Sequence, residues 1–548
     1  MHAGAAGCVL LAAWPALHPF TLGPSAAALP WLAGWTCTLL LFGVAAARGA
    51  RFPWAIFLAG TPVAAWAGLA HGLTADLLCL AAAWLLIALA AGIACDPVVS
   101  GRVRGGFLLA AVLGAAAGLA QYFGLAQALA PWVSAAPPGQ AYGNLRQPNQ
   151  FATMCSLGIA LLLFTPPRLE TRTSFAVVAL LAAGSAASVS RTGILQGLVL
   201  LLLAIAWGGA DRARRVRLCL TAGGAYLASA LLLPFLLEAS TGAVPARTLW
   251  ARLGGGEACS SRLTLWGNVL HLVAAKPLSG WGWGELDWAH YSTLYPGPRF
   301  CDILDNAHNL PLHLAVELGL PAAVLTTCGA AVWVLRRRPW QEQQPQRQLA
   351  WSVLVLIAVH SLLEYPLWYA PFQLAFGLAL GWLSATPPLT QRPSMVRPAA
   401  AFALAASVTA YVTWDYLRVS QLYVPAHERL AAWKLDPIRH ARATWLFTDH
   451  VRFAELTLTP LTGANANELH ALATAMLHYS PEPAVVQRVI ESSLLLRRDQ
   501  EAVWHMLRFR AAFPREYAEW RARGPQQAGH GPSGRTRPHA PADRTGRP

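Results

Sequence analysis

From the N-terminus to about residue 416 the chain repeats one pattern, an apolar stretch followed by a short polar loop. The apolar stretches run to roughly 18 residues or more, long enough to cross a hydrocarbon core of about 30 Å as a helix. A soluble core would instead show apolar faces alternating with polar ones. The fold class this dictates is all-α, a polytopic integral membrane protein. About thirteen spans are predicted, near 3–23, 29–47, 53–70, 74–94, 105–123, 150–164, 174–189, 194–208, 218–237, 309–335, 349–363, 371–385 and 399–416. The first run, "MHAGAAGCVL", has no basic residue before it, so it reads as a span and not as a signal peptide.

Composition agrees. The chain is 55% hydrophobic and 12% charged, with a mean hydropathy of +0.41, and soluble domains are rarely this apolar. The net charge of +15 does not point to nucleic acid, because its distribution follows the spans. With a cytoplasmic N-terminus, the loops after spans 2, 4, 6, 8, 10 and 12 should be basic. They read "RGAR" (48–51), "GRVRGG" (101–106), "RLETR" (168–172), "DRARRVR" (211–217), "RRRPWQEQQPQR" (336–347) and "QRPSMVR" (391–397). The intervening loops carry far fewer basic residues, so the positive-inside rule is met six times in succession.

The same threading sends three regions to the outer face: the loop 124–149, a long loop 238–308, and everything after 416. The expected organisation is a membrane bundle over 1–237, the long periplasmic loop over 238–308, further membrane helices over 309–416, a helical periplasmic region over 417–525 and a disordered Gly-, Pro- and Arg-rich tail over 526–548. In 417–525 apolar residues recur at three- and four-residue spacing, the mark of amphipathic helices. Nine cysteines are dispersed with no CxxC pair, most of them inside spans. Cys259 and Cys301 lie in the long outer loop, where an oxidising compartment allows them to pair. The closed loop would contribute at most about 4 kcal/mol on the chain-entropy estimate.

Several outer-face residues are not explained by burial in lipid. Arg146 stands in "YGNLRQPNQ" beside Gln147 and Asn149, and Arg191 stands in "SVSRTG". Arginine at a membrane boundary can simply snorkel, yet these two break the chain's own positive-inside pattern. Arg262 opens an amphipathic helix expected over 261–275, followed by the turn "PLSGWGWG". A plain interfacial anchor is the bland reading of that segment. Three outer arginines together would hold a polyanion, since guanidinium groups match phosphate oxygens bidentately and keep their charge. In "DNAHNLPLHLAVELG" (305–319), Asp305 or Asn306 is the expected N-cap before Pro311. His308 sits at the boundary, where a histidine suits proton transfer. Asn309 follows it, and His313 and Glu317, four apart, share one helical face and read equally as a buried pair. The spacing H-x4-H-x3-E matches no zinc signature, so no metal and no cofactor is expected. Glu364 and Tyr365 lie in "HSLLEYPLWYAPF", whose aromatic residues also suit an interfacial belt.

Taken in order, "GNLRQPNQFAT", "SRTG", "SRLTLW…KPLSGWGWGE", "AHNLPLHLAVELG" and "HSLLEYPLWYA" resemble bacterial protein O-oligosaccharyltransferases, or pilin glycosylation ligases. These are grouped with O-antigen ligases and polymerases. The resemblance covers about residues 140–525; the first four spans match only in general character. It implies a metal-independent glycosyltransferase of the bacterial inner membrane with its site facing the periplasm. The donor would be a preassembled glycan on undecaprenyl diphosphate, and the acceptor a Ser or Thr of a pilin-like protein. Carried over by motif, His308 is the catalytic candidate and Arg146, Arg191 and Arg262 the diphosphate binders. Gln147, Asn149, Asp305, Asn309, His313, Glu317, Glu364 and Tyr365 would support them. An O-antigen ligase or polymerase differs only in acceptor. A lipid-linked sugar transporter would place its charges near the midplane of several spans, whereas here they gather at one face.

Overall fold

The computed structural model describes residues 2–72, 74–165, 170–209, 211–245, 258–384 and 396–523. The expected disordered tail, the basic segment at 168–169 and most of 391–397 lie outside the described residues. Within them the chain is helical and no strand forms.

Each of the thirteen predicted spans falls on a helix. These are α1 (His2–Leu17), α2 (Ala28–Ala47), α3 (Trp54–His71), α4 (Ala75–Ile93), α5 (Pro97–Tyr122), α6 (Pro148–Phe164), α7 (Thr171–Ala187), α8 (Arg191–Ala206) and α9 (Arg212–Thr241). After the long loop, which carries α10 (Arg262–Ala275) and α11 (Leu286–Ser292), come α12 (Leu310–Arg337), α13 (Pro345–Ser361), α14 (Ala370–Ser384) and α15 (Val396–Ser420). Six of them, α2, α3, α4, α5, α9 and α12, are long and apolar enough to cross a membrane. The chain is therefore a multi-pass membrane protein.

Two expectations need correction. The span predicted over 3–23 ends early, since α1 stops at Leu17. Pro19 disfavours helical backbone at His18, and Tyr416 fixes the irregular chain beyond by donating to the Leu22 carbonyl at 2.6 Å. The span predicted over 309–335 is broken at Gly319 (φ 85°, ψ 165°), two residues before Pro321. The carbonyls released at this break are taken up by "PLSGWG". Trp281 N–H donates to Val316 O at 2.9 Å, Gly282 N–H to Glu317 O at 3.0 Å, and the Pro277 carbonyl accepts from Leu320 N–H at 2.8 Å. Contact is so close that a Cβ on Gly319 would lie 2.0 Å from Leu278 O, and one on Gly280 2.3 Å from Glu317 O. Only glycine permits that approach.

The membrane helices pack as two units. The larger core is built on α5, α6, α13 and α14 with α1, α7, α8 and α9 around them. α6 is apolar on every side and buried from Gln150 to Phe164, the pattern of a central helix. The smaller core joins α3 and the start of α4 to α10, α11 and the first turns of α12. After α15 come short helices, the amphipathic Thr448–Leu458, Ala466–Met476 and Pro483–Leu495 and, after them, Asp499–Ala512, which share a core with Tyr291 of α11. Tyr291 Oη and His505 Nδ1 are 2.9 Å apart, and Arg508 donates to Ser292 O at 2.7 Å. In the long loop, Cys259 and Cys301 form a disulfide with Cα atoms 5.4 Å apart.

Among the described residues, segments at and beside several of the arginine-rich loops bond to one another. Trp207 donates to Pro339 O at 2.8 Å, Arg347 to Leu383 O at 3.2 Å, and Arg48 pairs with Asp96 at 2.9 Å.

Candidate active site

Four helices begin close together, and each start is capped by its own side chain. Gln147 accepts from Gln150 N–H at 2.6 Å at the head of α6, and Ser190 from Gly193 N–H at 3.2 Å at the head of α8. Ser261 accepts from Thr264 N–H at 3.1 Å for α10, and Asn309 from Leu312 N–H at 3.2 Å for α12. Pro148 in the first turn of α6 and Pro311 in that of α12 are preset for such starts. Asn309, and not Asp305 or Asn306, is therefore the cap of α12. Asn306 instead accepts from His308 N–H at 2.9 Å, an Asx turn that holds His308 in the left-handed region at φ 48°. A histidine pays strain for that conformation, and such strain gathers at functional sites.

Glu364 ties the four starts together. It follows α13 and is buried. Its Oε2 lies 2.6 Å from His308 Nδ1, and its Oε1 accepts from Arg262 Nη2 at 2.5 Å and from Asn149 Nδ2 at 3.2 Å. Ser190 Oγ donates to Asn149 Oδ1 at 2.6 Å, and Asn309 Nδ2 to Leu362 O at 3.2 Å. The cluster thus joins α6, α8 and α13 of the larger unit to α10 and α12 of the smaller one. It sits at the seam between them.

The short contact to a carboxylate assigns the proton on His308 to Nδ1, donated to Glu364 Oε2. Arg262 Nη2, 3.0 Å from Nδ1, is then a neighbouring cation and not a hydrogen-bond partner, since both atoms carry hydrogens. That leaves Nε2 to act on a substrate, the arrangement in which a carboxylate fixes the tautomer of a general base. The ring packs edge-on against Tyr365 with centroids 5.1 Å apart. Burial pushes the Glu364 carboxyl up. His308, by charge and by hydrogen bond, together with Arg262 and His360, outweighs burial and holds the carboxyl below the ordinary carboxylate range. Arg262 keeps about a third of its side chain accessible (32%, against 10% for Glu364), so its remaining donors face outward. Four helix N-termini beside it add partial positive charge.

The other predicted residues divide. Arg146, with left-handed backbone (φ 58°), turns its guanidinium to the Pro19 carbonyl. Gln147 is engaged as a cap. Arg191 is exposed in the first turn of α8, next to the Ser190 that joins the cluster. Asp305 is half-buried in the same loop as His308. His313 and Glu317 form a buried pair, Nε2 to Oε2 3.4 Å. Trp283 and Trp368 cover His313 with ring centroids 5.4 and 5.2 Å away, and Glu317 Oε2 accepts from Gly284 N–H at 3.1 Å. This pair braces the Trp turn against the break in α12. Among the described residues no group of His, Cys, Asp and Glu could hold a metal ion.

Sequence reasoning missed Ser190 and a buried polar chain behind it. Thr153 Oγ1 meets His360 Nδ1 at 2.9 Å and accepts from Gln196 Nε2 at 2.9 Å. The signal was polar residues inside otherwise apolar spans.

Three families match successive parts of the chain. Residues 141–165 match the family described as protein glycosylation ligase, 175–327 O-antigen ligase, and 348–528 virulence factor membrane-bound polymerase, C-terminal. The cluster takes Asn149 from the first, Ser190, Arg262 and His308 from the second, and Glu364 from the third. The general O-oligosaccharyltransferase of Acinetobacter baylyi is 28% identical over 264 residues, which are 46% of this chain and 45% of that protein. The ComP-specific O-oligosaccharyltransferase of the same organism is 29% identical over 129 residues, 23% of each chain. The matched segments thus span less than half the length of either relative.

Proposed function

We propose, from the matches to the O-antigen ligase and protein glycosylation ligase families and to an O-oligosaccharyltransferase, that the chain transfers a preassembled oligosaccharide from undecaprenyl diphosphate to a Ser or Thr hydroxyl of a periplasmic, pilin-like protein. The observation that carries this reading is the triad His308–Glu364–Arg262 at the seam, at the end of the bundle away from the arginine-rich loops. With those loops in the cytoplasm, the triad faces the periplasm of an inner-membrane protein with about thirteen spans.

The donor has its anomeric carbon bonded to a doubly charged diphosphate at the bilayer surface. The acceptor oxygen attacks that carbon while the bond to the diphosphate oxygen breaks. His308 Nε2 takes the hydroxyl proton. The leaving diphosphate gains negative charge, which Arg262, Arg191 and the helix N-termini stabilise without having to reorganise. Glu364 keeps the imidazole in the required tautomer and offsets the Arg262 charge until the donor arrives. Cations fixed by the fold do here what a metal ion does in many phosphate-transfer sites, so no metal is invoked. One displacement would invert the anomeric centre.

An O-antigen ligase, acting on lipid A–core, is the second reading, favoured by the match over 175–327. The helices after residue 420 favour a protein acceptor. Intact-mass measurement of pilins from cells with and without this gene tests the choice. A glycan mass that disappears with the gene supports the proposal; unmodified pilins with a changed lipid A–core support the ligase.

A further inference from the structure

A second feature lies beside the triad and takes no part in the chemistry above. A cleft of about 240 Å³ opens where the α3–α4 turn, the "GWGWGELDW" segment and the C-terminal helices meet. Its walls carry Trp281, Trp283 and Trp288, with His71, Glu285 and His478 between them. The volume falls below the usual range for a whole ligand, about 300–1,000 Å³, so it suits part of a longer molecule.

The indoles are fixed. Trp281 donates to Leu272 O at 3.0 Å and carries Lys276 Nζ 4.1 Å above its ring. Trp288 packs on His478 with centroids 4.6 Å apart, and Trp283 stacks on Trp368 at 6.0 Å and 18°. The polar groups are fixed as well. Glu285 Oε2 and His478 Nδ1 are 2.7 Å apart, and His71 Nε2 is 2.9 Å from Ser279 O. Rigid aromatic platforms alternating with oriented donors and acceptors match one ligand chemistry. A pyranose ring presents C–H groups on its faces, which pack on the electron-rich face of an indole, and hydroxyls at its edge.

A line of rings connects cleft and triad. His308 touches Tyr365 at 5.1 Å, Tyr365 meets Trp368 at 6.2 Å, and Trp368 stacks on Trp283 at the cleft wall. Tyr365 is buried, so these rings form a wall common to triad and cleft; with the first sugar of a donor at His308, the sugars beyond it would lie along that wall toward the cleft.

We propose that this cleft is a subsite for the distal sugars of the donor oligosaccharide, and that His478 brings the C-terminal region onto the donor side of the enzyme. The inference rests on the glycan-transfer reading. It makes the enzyme selective for glycan length, because remote contacts add binding energy that a short donor cannot use.

The test compares two donors on the full-length protein: the oligosaccharide of the cell's own lipid-linked pool, and a single N-acetylglucosamine on undecaprenyl diphosphate. In Trp288→Ala the ratio of kcat/KM, long donor over short, should fall about tenfold, the loss of one stacking contact. Trp288 also packs against the C-terminal helices and on His478, so the half-exposed Glu285→Gln, which leaves that packing in place, should lower the same ratio severalfold, and the exposed His478→Ala should lower it as well. An unchanged ratio in all three would overturn the proposal. A raised acceptor KM with an unchanged ratio would do so too, and would assign the cleft to the acceptor peptide. If the wild-type protein transfers neither donor, the glycan-transfer reading has failed. The subsite is then judged by tryptophan fluorescence alone, titrating the oligosaccharide released from that pool: saturable quenching, weakened in Glu285→Gln and His478→Ala, supports it, and no quenching overturns it.

Discussion

Two histidine–glutamate pairs lie within a few residues of each other, and they are built for opposite ends. His308 and Glu364 approach to 2.6 Å at the seam between the two packing units, with 19% of the His308 side chain accessible. His313 and Glu317 stand 3.4 Å apart with 3% and 1% accessible. The first pair comes from two separate elements, with His308 in left-handed backbone and Arg262 bound to the Glu364 carboxylate. The second is one turn apart on a single helix, sealed under Trp283 and Trp368. Residue type is therefore a poor guide to role. What separates the proposed catalytic histidine from its buried neighbour is a ring nitrogen left over from the carboxylate contact and charge partners from elsewhere in the fold.

That contrast can be broken by mutation. His308→Ala should lower glycan transfer by about 10²–10⁴-fold, the usual worth of a positioned general base, while the protein still purifies as a folded membrane protein. A variant that folds and keeps near-normal turnover would remove the distinction between the pairs. Glu364→Gln should come next, losing roughly 10–100-fold in kcat with a smaller change in KM, because the imidazole loses its fixed tautomer. For His313→Ala the order reverses. Stability should fall by about 2–4 kcal/mol from a cavity and an unpaired buried carboxyl, read as a lower melting temperature, while the rate per folded molecule changes much less than in His308→Ala. Arg191→Ala should have the smallest effect, a few-fold rise in donor KM with the fold intact. No change in donor dependence would mean that Arg191 merely snorkels.

Acidity sharpens the comparison further. The Glu364 carboxyl is held below its ordinary range, so its ionic contacts contribute stability at neutral pH and above the unfolded value of about 4.3. That contribution is lost as pH falls through the lower folded value. The melting-temperature gap between wild type and Glu364→Gln should thus be wide at pH 7 and close as the medium is acidified below pH 4. A gap that widens on acidification would contradict the assigned ion pair.

Most helices were legible because a membrane span must satisfy its backbone internally and expose apolar side chains, and both demands are written in composition. His308, Arg262 and Glu364 were legible because they were polar where lipid contact required otherwise. Other features were not. "DNAHN" offers several capping residues, and only the three-dimensional entry angle makes Asn309 the cap and leaves Asn306 to the turn under His308. Arg146 announced an outer-face cation, but a long side chain can end several ångströms from its Cα, and it turns to Pro19. The break of span 10 at Gly319 depends on "PLSGWG" receiving the carbonyls it frees, a contact between segments that the apolar run over 309–335 does not carry. The cleft at Trp281, Trp283 and Trp288 was invisible for the same reason, since His71 and His478 reach it from far along the chain.

The most direct measurement is intact mass of a purified pilin after incubation with lipid-linked oligosaccharide and either wild-type protein or His308→Ala, both confirmed to be folded. The wild-type protein should add one glycan mass and the variant none on the same timescale. Equal modification by both would show that the reaction does not depend on the His308–Glu364–Arg262 triad.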